Sequence, residues 1–181
     1  MRTGDDEAAS PKYAHIERER RFLVDPHRRP ALDLACAVRI EDRYIDSSRL
    51  RLRRMTDLET GATSLKLTKK YTAADPAARA IVTAYLDAAE YALLATLPAR
   101  ALAKIRYTVD DHGAAFGVDC FEGALHGLEL AEIECADATN LAAIRAPAWS
   151  RREVTHDSRY TGGNLVNLAA LDLATLLQGE D

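Results

Sequence analysis

Charged and apolar residues alternate with a period of two in segment after segment of this chain. In AHIERERRFLV (14–24), Glu17, Glu19 and Arg21 fall on one face of an extended backbone. In SRLRLRRM (48–55), Arg49, Arg51 and Arg53 oppose Leu50 and Leu52, and in TSLKLTKKY (63–71), Lys66, Thr68 and Lys70 oppose Leu65 and Leu67. Lys104 and Arg106 oppose Ile105 and Tyr107, Asp119 opposes Val118 and Cys120, and Glu132 and Glu134 oppose Ala131, Ile133 and Cys135. Successive strand side chains point to opposite faces, so each segment predicts a strand. Adding AVRIEDRYI and RAIVTAYL gives strands at 14–24, 37–45, 48–55, 63–71, 79–86, 101–109, 114–122 and 128–135. Thr60-Gly61, His112-Gly113 and Gly123 mark turns between them.

Helices are few. A short one is expected near Leu32–Cys36. Asp87 caps AAEYALLAT, which stops near Pro98, and Asp137 opens another that ends by Pro147. Residues 164–177 carry apolar positions at helical spacing and predict one closing helix. Residues 1–12 are polar and read as a flexible tail, and 13–181 read as a single domain without linker or internal repeat. The fold class expected is α+β, mainly antiparallel β: a sheet or barrel with helices packed outside.

Charge type changes the picture. The chain has 181 residues, 48% hydrophobic, 29% charged and 6% aromatic, with a net charge of −4. The charged strand faces nevertheless collect eight bases (Arg21, Arg49, Arg51, Arg53, Lys66, Lys70, Lys104, Arg106) against five acids (Glu17, Glu19, Asp119, Glu132, Glu134). A sheet with one solvated face would show the same alternation. If the sheet curls so that these faces meet, they line a polar bore instead. Guanidinium forks chelate phosphate oxygens. Carboxylates two apart on a strand are hard ligands suited to Mg²⁺ or Mn²⁺.

Other chemistry finds little support. An acidic chain argues against nucleic acid or an anionic membrane as partner. No run of about 18 apolar residues is present, the usual need of a membrane span. MRTGDDEAAS has no apolar h-region, so a cytoplasmic location is expected. Cys36, Cys120 and Cys135 form no CxxC and read as reduced, packed thiols. The histidines show no HxH or HExxH spacing, and Gly162-Gly163 lacks a phosphate-loop frame.

An ordered set of short motifs then resembles the CYTH superfamily, the triphosphate tunnel metalloenzymes. Glu17-Arg18-Glu19-Arg20-Arg21-Phe22-Leu23-Val24 is similar to the family's ExExK strand with its following FLV, Arg21 standing in the lysine position. Arg51-Leu52-Arg53 resembles its RxR, Thr68-Lys69-Lys70 its TxK, and Lys104-Ile105-Arg106-Tyr107 its KxRY. Asp119, Phe121, Gly123, Leu125, Gly127, Leu128, Leu130, Ala131, Glu132 and Glu134 match DxFxGxLxGLxLAExE. Pro147, Trp149, Glu153, Val154, Thr155, Asp157, Arg159 and Tyr160 resemble PxW…EVTxDxRY. The resemblance runs from about residue 14 to 165.

It implies an eight-stranded antiparallel β-barrel tunnel that binds triphosphates with a divalent metal, Mg²⁺ or Mn²⁺. By position, Glu17, Glu19, Glu132 and Glu134 would hold the metal, with Asp119. Arg51, Arg53, Lys70, Lys104 and Arg106 would grip phosphates, with Lys66 and Arg159 beside them, and Arg21 and Lys70 stand in the positions given to catalysis. Many hydrolytic members carry carboxylates where this chain has Ile81, Thr83 and Gly117. Arginine also stays protonated, so Arg21 binds phosphate but is a poor general base. The function expected is metal-dependent hydrolysis of triphosphates, inorganic tripolyphosphate first. The alternatives are a polyphosphate- or organic-triphosphate-binding module with little turnover, an adenylate cyclase, or a thiamine triphosphatase. The 164–177 face could serve a homodimer.

Overall fold

The computed structural model describes residues 11–168 and 170–178, so most of the predicted N-terminal tail lies outside the described residues. Nine strands form one sheet in the order β5-β4-β3-β2-β6-β7-β8-β1-β9. They are β1 (His15–Val24), β2 (Ala37–Ile45), β3 (Leu50–Asp57), β4 (Thr63–Lys70), β5 (Ala78–Leu86), β6 (Ala99–Asp111), β7 (Ala114–Phe121), β8 (Glu129–Glu134) and β9 (Ser150–Glu153). A further antiparallel pairing of β1 with β5 closes the first eight into a barrel. Closure leaves few exposed strand edges.

β1 is the seam. Its first half, His15–Arg18, pairs with β5, and Glu19–Leu23 pair with β8 on the other edge. Beyond the β5 pairing, Phe22–Val24 accept β9. The short β9 lies in the PxW…EVT stretch, which the alternation did not mark as a strand. Four residues with no apolar alternation (Ser150–Glu153) carry too little pattern.

The predicted strand at 101–109 extends to 99–111 because β2 and β7 both pair along it. It turns into β7 through His112 and Gly113, at φ 56 and 83, the two left-handed residues of a tight hairpin. Helix α1 (Ala88–Leu94) starts at a capping box in which the Asp87 side chain accepts from the Glu90 N–H and the Glu90 side chain from the Asp87 N–H. α2 (Ala138–Ala143) starts at Asp137. The closing segment is two helices, α3 (Gly162–Leu165) and α4 (Ala170–Gln178), not one. Leu165, Leu173 and Leu176 enter the same core, which preserves helical spacing across the break.

Apolar positions divide between two cores. The outward Phe22, Phe116, Val118, Ala131 and Ile133 pack with Leu141 and Trp149, with edge-to-face rings for Phe22–Phe116 (6.0 Å) and Phe116–Trp149 (5.7 Å). The other core lies at one end of the barrel interior. Leu23, Leu102, Phe121 and Leu130 are inward residues there, covered by Tyr160, Leu165, Leu173 and Leu176. The inward face of β1 thus runs Glu17, Glu19, Arg21, Leu23, from charged to apolar. No helix among the described residues is long and apolar enough to cross a membrane. Cys36 is exposed rather than packed, whereas burial and the nearby Glu129 push the Cys120 thiol up to about 12.

Candidate functional site

Register decides which charged side chains meet. Residues opposite each other in an antiparallel pair lie on one face. Arg51 opposes Tyr44, Arg53 opposes Asp42, Arg106 opposes Asp119, Arg21 opposes Glu132, and Glu19 opposes Glu134. All lie on the inward face of the barrel. All but Asp119 border a cavity of about 470 Å³, within the range of small-molecule sites. Eight cations line it (Arg21, Arg49, Arg51, Arg53, Lys70, Arg79, Lys104, Arg106), against five carboxylates (Glu17, Glu19, Asp42, Glu132, Glu134).

The charges are organised as a network. Arg21 donates from Nη2 to Glu19 at 2.6 Å and from Nε to Glu132 at 3.0 Å. Arg106 donates to both oxygens of Asp119, at 2.6 Å each, and also to Glu132. Lys104 reaches Asp119, and Lys70 reaches Glu17. Arg53 grips Asp42 with two bonds, 2.6 and 2.7 Å, and Arg51 lies 3.6 Å from the same carboxylate. The Arg51 Nε is buried and makes no hydrogen bond.

The network sets the proton affinities. Burial pushes the Glu132 carboxyl up, but Lys104, Arg106 and Arg21 outweigh it and hold it well below its usual range. Burial and the charge of Glu132 push Glu19 up, and Lys70 and Arg21 offset this only in part. Burial depresses the Lys104 ammonium, and neighbouring Arg106 adds to this against Asp119. Burial lowers Arg21 too, yet Glu132 and Glu19 raise it beyond the ordinary guanidinium value, so it stays charged.

Of the residues singled out from sequence, Glu17, Glu19, Arg21, Arg51, Arg53, Lys70, Lys104, Arg106, Glu132 and Glu134 all border this cavity. Asp119 is fully buried behind Lys104 and Arg106 and does not border it, so it orients those cations. Lys66 shares the inward register, yet its ammonium lies over the Tyr85 ring at 5.0 Å, away from the cavity wall. Arg159 pairs with Asp157 at 2.7 Å outside the lining, while its neighbours Tyr160–Gly163 border it. The three positions without carboxylates have structural partners. The Thr83 hydroxyl contacts that of Thr68 at 3.0 Å, and Ile81 stands between His15 and Lys70. A Cβ at Gly117 would come within 3.1 Å of Arg106 Cδ, so the glycine makes room for that guanidinium.

Asp42, Arg49 and Arg79 complete the wall and were not among the residues assigned a role. Arg49 and Arg79 share strand parity with assigned neighbours, which was signal enough. Asp42 needed the β2–β3 register, which parity within one strand does not reveal.

Glu17, Glu19, Glu132 and Glu134 offer the hard oxygens that Mg²⁺ or Mn²⁺ prefers, and burial together with the charge of Glu132 raises the Glu19 carboxyl. The donor set fits a divalent ion. As they stand, no three such groups converge on one point among the described residues.

No known family model matches the chain. Over 63 residues it is 44% identical to an inorganic triphosphatase of Acetivibrio thermocellus; the match covers 35% of this chain and 39% of that protein. The chain thus spans about two-fifths of the length of the curated relative it matches. Among solved structures, the inorganic triphosphatase NE1496 superposes with a TM-score of 0.55 and 26% identity, over 83% of this chain and 93% of that one. Another structure of NE1496 gives 0.56 and 25%, over 84% and 99%. The PH1819 protein of Pyrococcus horikoshii shares the fold at 19% identity and a TM-score of 0.51, over 70% and 82%. The closed eight-stranded antiparallel barrel with a charge-lined interior is the fold the chain shares with the inorganic triphosphatase NE1496, and together with the curated match it supports a CYTH-type triphosphate tunnel domain.

Proposed function

We propose that the chain hydrolyses triphosphates, inorganic tripolyphosphate first, with Mg²⁺ or Mn²⁺. The observation that carries this is the segregation of charge. A chain of net charge −4 gathers eight cations and five carboxylates around one cavity. A compact polyanion is what such a wall stabilises best. The similarity to inorganic triphosphatases supports the same reading.

Arg51, Arg53, Lys104 and Arg106 hold phosphate oxygens from β3 and β6, with Arg49 and Arg79 beside them. Lys70, released from Glu17, meets the terminal phosphoryl group. Their aligned charges favour the transition state, in which negative charge spreads over the departing oxygens. Asp42 in the cavity wall and Asp119 behind it keep these cations in place. Arg21 stays protonated and therefore binds and orients rather than accepting a proton. Glu17, Glu19, Glu132 and Glu134 would hold the metal, which when bound neutralises phosphate charge and polarises the P–O bonds.

Phosphate release from tripolyphosphate, ATP and thiamine triphosphate, each with Mg²⁺ and with Mn²⁺, tests the reading. Turnover of tripolyphosphate is expected, falling by roughly 10²-fold or more in Glu19→Gln, the scale of losing one electrostatic contact in a preorganised site. The Ile81, Thr83 and Gly117 positions favour one other reading, a binding module with little turnover. Tight metal-dependent tripolyphosphate binding without release of phosphate would replace hydrolysis by that reading.

A further inference from the structure

The guanidinium of Arg21 occupies a place that a metal ion could claim. Its side chain is enclosed, 9% exposed, and lies between two carboxylates of neighbouring strands. Its Nη2 donates to Glu19 at 2.6 Å and its Nε to Glu132 at 3.0 Å. Two carboxylates this close repel each other, and a fixed cation bridging their oxygens removes the repulsion. Two further carboxylate oxygens nearby are engaged, Glu132 Oε2 by Arg106 and Glu17 Oε2 by Lys70. A lysine ammonium is a compact point charge. A guanidinium is a planar fork with donors on separate edges and spans two carboxylates at once. Arginine at this position therefore makes a bridge that lysine makes less well.

We propose that Arg21 is the resident cation of the carboxylate cluster. With Arg21 in place, the empty pocket takes up no divalent ion by itself. The metal enters already bound to a polyphosphate, whose oxygens supply ligands and whose charge draws the guanidinium off the glutamates. The second half of this rests on the triphosphate reading above, and the first half does not.

The test titrates Mn²⁺ alone into the protein, reading free Mn²⁺ by electron paramagnetic resonance and heat by calorimetry. The wild type should show no saturable uptake over the range in which Mn²⁺ with tripolyphosphate saturates. Arg21→Met should bind Mn²⁺ alone at least about tenfold more tightly, the scale by which neighbours of metal ligands alter metal affinity. Adding Glu19→Gln to that variant should abolish the gain. Arg21→Lys should fall between wild type and Arg21→Met. If circular dichroism shows that Arg21→Met does not fold, Arg21→Lys carries the test by binding Mn²⁺ more tightly than wild type. Equal Mn²⁺ affinity in the wild type and the folded variants overturns the proposal. Failure of tripolyphosphate to bind, with the Mn²⁺ contrast intact, overturns the triphosphate reading and leaves the role of Arg21 standing.

Discussion

Asp42 shows what the charged interior costs and what holds it together. It is 1% exposed and meets Arg53 through two hydrogen bonds, with Arg51 beside it. Asp42→Asn leaves two enclosed guanidinium groups without their counter-charge, a loss of about 3–5 kcal/mol. Burial pushes this carboxyl up, but Arg53, Arg51 and Lys104 outweigh it and hold it below its usual range. A depressed carboxyl stabilises the fold above its unfolded-state pKa, and the contribution is lost as pH falls through the folded value. The stability gap between wild type and Asp42→Asn is therefore widest at neutral pH and narrows in acid. Urea titrations at the two pH values check this, and a constant gap would mean the variant acts through packing alone. Gly117 tests the same network without touching a charge. In Gly117→Ala the new methyl meets Arg106, which is anchored on Asp119 and Glu132 and has little freedom to yield. Tripolyphosphate binding should weaken severalfold by calorimetry, with the melting temperature little changed.

Among the elements, β8 joins the polar and apolar halves of the interior. Leu130 faces inward beside Glu132 and pairs in register with Leu23 of β1. Leu130→Ala should cost roughly 2–5 kcal/mol, the range for truncating a buried leucine, read as a lower denaturation midpoint. A loss well below that would show that α3 and α4 settle into the space. Most of this architecture is legible in the sequence because the barrel inverts the usual pattern. Charged residues occupy the enclosed face, so the alternation in SRLRLRRM and TSLKLTKK marks the strands and most of the charged side chains that line the cavity. What stayed hidden depends on partners rather than on the segment itself. β9 is defined by Phe22–Val24 pairing with it, and the break between α3 and α4 by a core that accepts both helices. Lys66 shares its parity with Lys70 but ends over Tyr85, because an exposed aromatic on the neighbouring β5 offers its ring face. Asp119 matches a metal-site motif, but its burial gives it to Lys104 and Arg106 instead.

Across the molecule, the cavity holds an excess of positive charge while the whole chain is negative, so the outer surface carries the acidic surplus. The barrel that separates these two environments is sealed by its first strand. β1 pairs with β5, β8 and β9, none of them its neighbour in the chain, from His15↔Ile81 through Glu19↔Glu134 to Phe22↔Glu153. Such distant pairings cost loop-closure entropy before any contact repays it, so they form late. During refolding, strand content should therefore rise before the ability to capture tripolyphosphate appears, a lag visible by stopped-flow dichroism alongside ligand binding. Because β1 brings Glu17, Glu19 and Arg21 with it, the cavity lacks three of its charged side chains until the seam closes, and the onset of tripolyphosphate binding would time the docking of the first strand.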